Sequence, residues 1–126
     1  MSEKRRLSIG VLDGDGIGPE IVPVAVDVAS AAAACEDLEF DWVRAALGVE
    51  AIGPHGTPLP DSTLAALDAL DVWILGPHDS ASYPQEFRNA LTPGATIRKR
   101  FGLYANIRPC RAYQGVAATA PDIDVV

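Results

Sequence analysis

The chain has 126 residues and a mass of 13.3 kDa, one domain at most, since compact domains run to about 100–200 residues. Its 48% hydrophobic and 21% charged residues are ordinary for a globular protein, and a net charge of −7 argues against nucleic acid as a partner. No apolar run of the ~20 residues that span a bilayer is read, the basic start MSEKRRLSIG lacks a secretory apolar stretch, and Cys35 and Cys110 stand at no metal-ligand spacing; a cytoplasmic protein without membrane contact, disulfide scaffold or structural zinc is expected.

Leu7 to Leu12 is a short apolar run closing on a Gly/Asp cluster, which predicts a strand buried on both faces and then a tight turn. From Pro19 onward Ile21, Val24, Ala25, Val28, Ala32 and Cys35 recur at helical steps, predicting a helix to about Glu36 with that stripe on a sheet and a local kink at Pro23. Leu38 to Ala46 alternates as a second strand. Gly53-Pro54-His55-Gly56 and Thr57-Pro58-Leu59-Pro60 read as turns, and Asp61 as the N-cap of a helix through Ala69. Asp71 to Gly76 reads as a buried strand, followed by a polar loop from Pro77 to about Leu91. Thr92 caps a short helix containing Arg98, Leu103 to Pro109 alternates as a strand, and Val125-Val126 opens another. This order predicts an α/β fold with an open, mostly parallel sheet flanked by helices.

Two segments carry candidate chemistry. In VLDGDGIGPEI, residues 11–21, Gly14, Gly16 and Gly18 lie between a strand and a helix N-terminus. Glycines allow a sharp turn, and free N–H groups of a first helical turn suit an anion. The spacing is not Gly-x-Gly-x-x-Gly, and Asp13 and Asp15 would repel a pyrophosphate; a strained turn with no ligand fits equally.

The second is an island of positive charge. Residues 1–86 hold 15 acids against four bases, whereas residues 87–121 hold no acid and six bases: Arg88, Arg98, Lys99, Arg100, Arg108 and Arg111. On the predicted strand, Tyr104, Asn106 and Arg108 share one face. Guanidinium is a planar fork that grips a carboxylate at two points, so Arg98 and Arg108, converging from helix and strand, would hold a di- or tricarboxylic acid in one orientation. The alternative is a basic patch paired with acids elsewhere, and Lys99, Arg100 and Arg111 suit a solvated surface better than the other two. His55 and His78 fall in loops and read as solvated turn residues.

VLDGDGIGPEI, GTPLP at 56–60, ILGP at 74–77 and IRKRFGLYANIRP at 97–109 together resemble, in order and across nearly the whole chain, the isocitrate/isopropylmalate dehydrogenase family of β-decarboxylating dehydrogenases. That resemblance implies the N-terminal part of the family's fold, with residues 1–102 belonging to a large α/β domain and 103–126 starting a second one. It implies NAD- or NADP-dependent oxidation of a 2-hydroxy acid of the 3-isopropylmalate or isocitrate type, then loss of the β-carboxylate assisted by Mg2+ or Mn2+, in a homodimer. Arg98 and Arg108 match the family's substrate-carboxylate arginines. Thr92 lies where isocitrate-specific members carry a Ser for the distal carboxylate, while Gly94 offers no side chain to the substrate. Gly14, Asp15, Gly16, Ile17 and Gly18 match the turn beside the cofactor, and His78 begins the loop that runs past the nicotinamide end. The third substrate arginine, the catalytic Tyr and Lys and the metal-binding aspartates would lie beyond Val126, so the chain alone is expected to be an inactive fragment. The competing expectations are a polycarboxylate-binding regulatory module that uses the same arginines and a remnant without catalysis.

Overall fold

The structure, a computed structural model, describes residues 5–89 and 91–126. Three parallel strands form its sheet: β1 (Arg5–Leu12), β2 (Leu38–Arg44) and β3 (Trp73–Leu75), in the order β2-β1-β3. Parallel neighbours need a crossover. Helix α1 (Gly18–Cys35) supplies the one between β1 and β2; α2 (Val49–His55) and α3 (Asp61–Asp68) lie between β2 and β3. Helices α4 (Gln85–Arg88) and α5 (Pro93–Arg100) follow, and then a two-stranded antiparallel pair, β4 (Cys110–Arg111) with β5 (Asp124–Val125). The α/β class read from the sequence holds, and the parallel sheet flanked by helices is its main body.

Strand β1 is buried only over Ile9–Leu12, not from Leu7 as expected. It pairs with β2 from Arg5 to Val11 but with β3 only from Gly10 to Leu12, so among the described residues its first half has no strand neighbour on that side, and Leu7 is 41% exposed. Strand β2 alternates as predicted, with Leu38, Phe40 and Trp42 turned inward. The Trp42 indole N–H donates to Ser30 Oγ at 3.1 Å, fastening α1 to the sheet.

Helix α1 forms where predicted but presents a different face. Val22 and Ala33 are buried and Pro23, Val26 and Ala29 half-buried, whereas the expected stripe of Ile21, Val24, Ala25, Val28, Ala32 and Cys35 is exposed. The helix is apolar almost all round, so the 3.6-residue period fits more than one stripe and contact with β2 selects between them. Pro23 lies within one continuous helix. Within the described residues α1, 18 residues with mean hydropathy 1.3, is long and apolar enough to cross a bilayer by length and composition alone.

Two further expectations fail locally. Gly53 to His55 form the end of α2 rather than a turn; buried Ala51 anchors that helix, and Gly56, left-handed at φ 68°, closes it. Leu103 to Pro109 form no strand and are all exposed, because alternation cannot make a strand without a neighbour to take its N–H and C=O groups. Asp61 is the first residue of α3 rather than its cap, which is Pro60. Leu12, Leu47, Leu67 and Ile97 make the core, with Trp73 and Phe101 packed on it at 4.6 Å between ring centres. Ile97 thereby pins α5 to the sheet.

Candidate functional site

Three loops meet at the carboxyl ends of the strands, and one side chain joins them. Asp15 is 6% exposed. Its Oδ1 accepts from Val49 N–H at 2.6 Å, while its Oδ2 accepts from Asp79 N–H at 3.0 Å and from the Tyr83 hydroxyl at 2.6 Å. Three donors satisfy a buried charge that would otherwise be costly. Tyr83 is itself 1% exposed, and its phenol is pushed above the usual tyrosine value, first by burial and then by the hydrogen bond to and charge of Asp15, with the charge of Asp79 adding to both. Asp15 therefore ties the turn after β1 to the start of α2 and to the loop after β3. Sequence reading missed Tyr83, whose only signal was an aromatic residue isolated in a polar loop.

The glycines of the turn mostly serve this packing. A Cβ on Gly14 would lie 2.1 Å from the Pro77 carbonyl oxygen, and one on Gly18 would lie 2.0 Å from that of Asp13. Asp15 N–H donates to Pro77 O at 2.7 Å. The anticipated free N–H groups of the first helical turn are not free: Gly18 donates to Asp15 O and Glu20 to Ile17 O, and Pro19 has none. Gly16 and Ile17 are the turn's outward-facing residues, Ile17 being 58% exposed. Beside them lies a shallow cavity of about 390 Å³ whose wall includes Asp15, Glu50 and Asp79, an acidic setting unsuited to a pyrophosphate. Asp13 pairs with Arg44 at 2.7 Å across the ends of β1 and β2.

The second focus is the start of α5. Thr92 caps the helix, its Oγ1 accepting from Ala95 N–H at 3.3 Å, which leaves the hydroxyl hydrogen available to donate outward. At Gly94 the space for a side chain is already taken. A Cβ there would stand 2.8 Å from His78 Cε1 and 3.1 Å from Arg98 Nη1. An imidazole from the loop after β3 and a guanidinium folded back along α5 thus converge on one point. Side chains on a helix lean toward its N-terminus, which brings Arg98 over residue 94.

Among the described residues the other cations are mostly engaged. Arg88 Nε donates to Tyr83 O at 2.7 Å, Arg100 pairs with Asp68, and Arg111 pairs with Asp124 at 3.5 Å. Arg98 and Arg108 make no ion pair among these residues. Arg108 Nε donates to Asn106 Oδ1 at 3.2 Å within the exposed 103–109 segment, and no hydrogen bond or ion pair described links it to α5. The structure thus brings His78 and Arg98 together at Gly94, with Thr92 capping the same helix, keeps Gly14 to Gly18 in one turn that includes Asp15, and leaves Arg108 on a separate segment.

A family model described as isocitrate/isopropylmalate dehydrogenase matches residues 8–125. The chain belongs to this family. It is 37% identical over 116 residues to a 3-isopropylmalate dehydrogenase of Bacillus licheniformis, an alignment that takes in 90% of this chain and 31% of that protein. It is 34% identical over 103 residues to a homoisocitrate dehydrogenase of Methanocaldococcus jannaschii, with 82% of this chain and 28% of the other covered. Its fold superposes on the crystal structure of isocitrate dehydrogenase from Methylococcus capsulatus with a TM-score of 0.78 and 31% identity, over 94% of this chain and 33% of that one. The chain spans about a third of the length of these relatives. The resemblance read from the four motifs is borne out, and so is the fold class that it implied.

Proposed function

We propose that this chain is the substrate-carboxylate-binding portion of an NAD- or NADP-dependent oxidative decarboxylase of a 2-hydroxy acid. The observation that carries this reading is the state of the cationic block. Arg100 and Arg111 are paired with the carboxylates of Asp68 and Asp124, while Arg88 and Arg108 each donate to an uncharged protein oxygen, Tyr83 O and Asn106 Oδ1. Arg98 and Arg108, the pair that matches the family's substrate arginines, have no carboxylate partner among the described residues. Guanidinium groups left without protein carboxylates suit the carboxylates of a ligand.

In this reading Arg98 binds one carboxylate from α5, and Arg108 binds another once the 103–109 segment closes over the ligand. A nicotinamide cofactor supplies the hydride acceptor when bound, and Gly16 and Ile17 are the turn residues whose exposure fits contact with it. Asp15, Gly14 and Gly18 act behind that surface as its support. Among the described residues no three His, Cys, Asp or Glu side chains are grouped to hold a metal ion. Mg2+ or Mn2+ therefore does not fit a site within them. A homodimer is consistent with the apolar surface of Leu103, Tyr104 and Ile107, all exposed. Neither a membrane nor a nucleic acid is among the partners proposed.

Calorimetric titration of the chain with isocitrate, 3-isopropylmalate and malate tests the reading. Saturable binding that weakens about tenfold or more in Arg98→Lys and in Arg108→Lys is expected, because lysine cannot reproduce the two-point grip. No heat with any of the three acids, or binding indifferent to both substitutions, refutes it.

A further inference from the structure

Helix α1 has two apolar faces and only one of them is used. At 3.6 residues per turn, Val22, Val26, Ala29 and Ala33 fall on one side, buried or half-buried against the sheet. On the opposite side Ile21, Val24, Val28, Ala31 and Cys35 are all exposed. Their steps are three, four, three and four, which is the strict 3.5-residue repeat of a helix-on-helix seam. Written as heptads, Ile21, Val28 and Cys35 take the a positions and Val24 and Ala31 the d positions.

We infer that this face is the seam of a homodimer in which the α1 helices of two copies lie side by side and parallel, about a twofold axis that runs along the seam. This is a surface distinct from that of Leu103, Tyr104 and Ile107, and it stands apart from the arginine reading above. Branched residues at a, here Ile21 and Val28, favour a two-stranded parallel pair.

The flanks of the seam select the orientation. Its g positions are Glu20 and Asp27, its e positions Ala25 and Ala32, and α1 contains no base. In a parallel pair each g faces an e of the other helix, so carboxylates meet alanines. In an antiparallel pair g faces g, and the two Asp27 carboxylates would share one edge of the seam, a repulsive contact. Buried Val22 and Ala33 and the bond from Trp42 to Ser30 Oγ already hold α1 in place, so pairing does not cost the ordering that makes short free helices marginal. A lipid bilayer is the other partner with a use for an apolar helix. It fits less well, because one face of α1 is committed to the sheet, and the acids beside the seam, in a chain of charge −7, oppose an anionic lipid surface. Ile21 to Cys35 make a seam about 22 Å long and about 10 Å wide, smaller than a standard interface, and dimerisation at about 10–100 µM is expected.

Sedimentation equilibrium of the chain tests the inference, with far-ultraviolet circular dichroism confirming that each variant is folded. Ala25 and Ala32 are exposed, so they accept charge without disturbing the fold. Ala25→Lys with Ala32→Lys places ammonium groups against Glu20 and Asp27 of the other copy and should tighten the dimer about fivefold or more; Ala25→Glu with Ala32→Glu should weaken it by a similar factor. Ser62→Lys with Ala65→Lys, on exposed positions of α3, changes net charge equally and should leave the dissociation constant within about twofold. Parallel pairing also sets Cys35 of one copy opposite Cys35 of the other, within the ~7 Å between Cα atoms that a disulfide can bridge, whereas antiparallel pairing holds them about 20 Å apart. In a Cys110→Ser background, copper(II) phenanthroline should take two electrons from these thiols, with release of two protons, and close one S–S bond in most of the dimer; Cys35→Ser should abolish it. A chain that stays monomeric to about 1 mM, a dimer that the lysines weaken or that forms no Cys35 cross-link, or binding to phosphatidylserine-containing vesicles without dimerisation in buffer overturns the inference.

Discussion

Replacing Asp15 with alanine removes one carboxylate and strands three donors, the amides of Val49 and Asp79 and the Tyr83 hydroxyl. A hydrogen bond to a charged acceptor is worth about 1.5–3 kcal/mol, and a buried donor left without a partner costs about 1–3 kcal/mol. Tyr83, at 1% exposure, has no water to turn to, whereas the bonds from the Val49 and Asp79 amides are only part-buried. One full penalty and two partial ones give about 3–5 kcal/mol, a large share of the ~5–15 kcal/mol that holds a domain together. Urea unfolding followed by circular dichroism should show the midpoint falling by about 2 M, for a slope of about 2 kcal/mol/M. Asp15→Asn should cost less, because one acceptor oxygen survives. Tyr83→Phe should cost about 1–2 kcal/mol, and the double variant less than the sum, since both substitutions remove the same bond. A loss below about 1 kcal/mol for Asp15→Ala would refute the anchoring role and return Asp15 to the candidates for direct ligand contact.

The Tyr83 phenol holds its proton more tightly in the folded chain than in the unfolded one, so its contribution to stability is whole below the unfolded value of about pH 10 and is lost as pH rises toward the folded value. Thermal melts from pH 9 upward should therefore decline more steeply in the wild type than in Tyr83→Phe; equal slopes contradict the buried bond. Thr92→Ala should lower stability by about 1 kcal/mol through loss of the α5 cap, and Thr92→Ser should retain it; an alanine variant as stable as the wild type in urea would show that the cap contributes nothing. The apolar stripe of α1, with Ile21, Val24 and Val28 exposed at 46%, 60% and 65%, should drive concentration-dependent association in sedimentation velocity. Val24→Glu with Val28→Glu should reduce it, and a monodisperse wild-type monomer would contradict the prediction.

The sequence was most legible where a local signal and the tertiary contact agree. Thr92-Pro93 announces the start of α5 because a capping hydroxyl and a proline in the first turn are both determined within a few residues. The alternation of Leu38, Phe40 and Trp42 survives because β1 and α1 lie where the pattern requires them. Helix α1 was located but turned the wrong way, because a helix apolar on nearly every side carries no information about which side meets the sheet. Leu103 to Pro109 alternates just as well as β2, yet among the described residues no neighbouring strand stands beside it. The site divides along the same line. The glycines of the turn were visible, but the partners of Asp15 lie 34, 64 and 68 positions away, beyond any periodicity. The meeting of His78 with Arg98 over Gly94 depends on a loop whose course is set by those distant bonds.

Because a single carboxylate serves as keystone for three connections, the rim of the sheet cannot be remodelled one loop at a time. An insertion between Gly76 and Tyr83 would pull Asp79 and the phenol off their common acceptor, and the disturbance would reach the start of α2, which shares it. Length changes are cheapest instead around Gly53 to Gly56 or within residues 112–122, where no bond to Asp15 is at stake. Drift in this part of the chain should therefore alter what the rim touches by exchanging side chains such as His78, with the backbone beneath them held to one course.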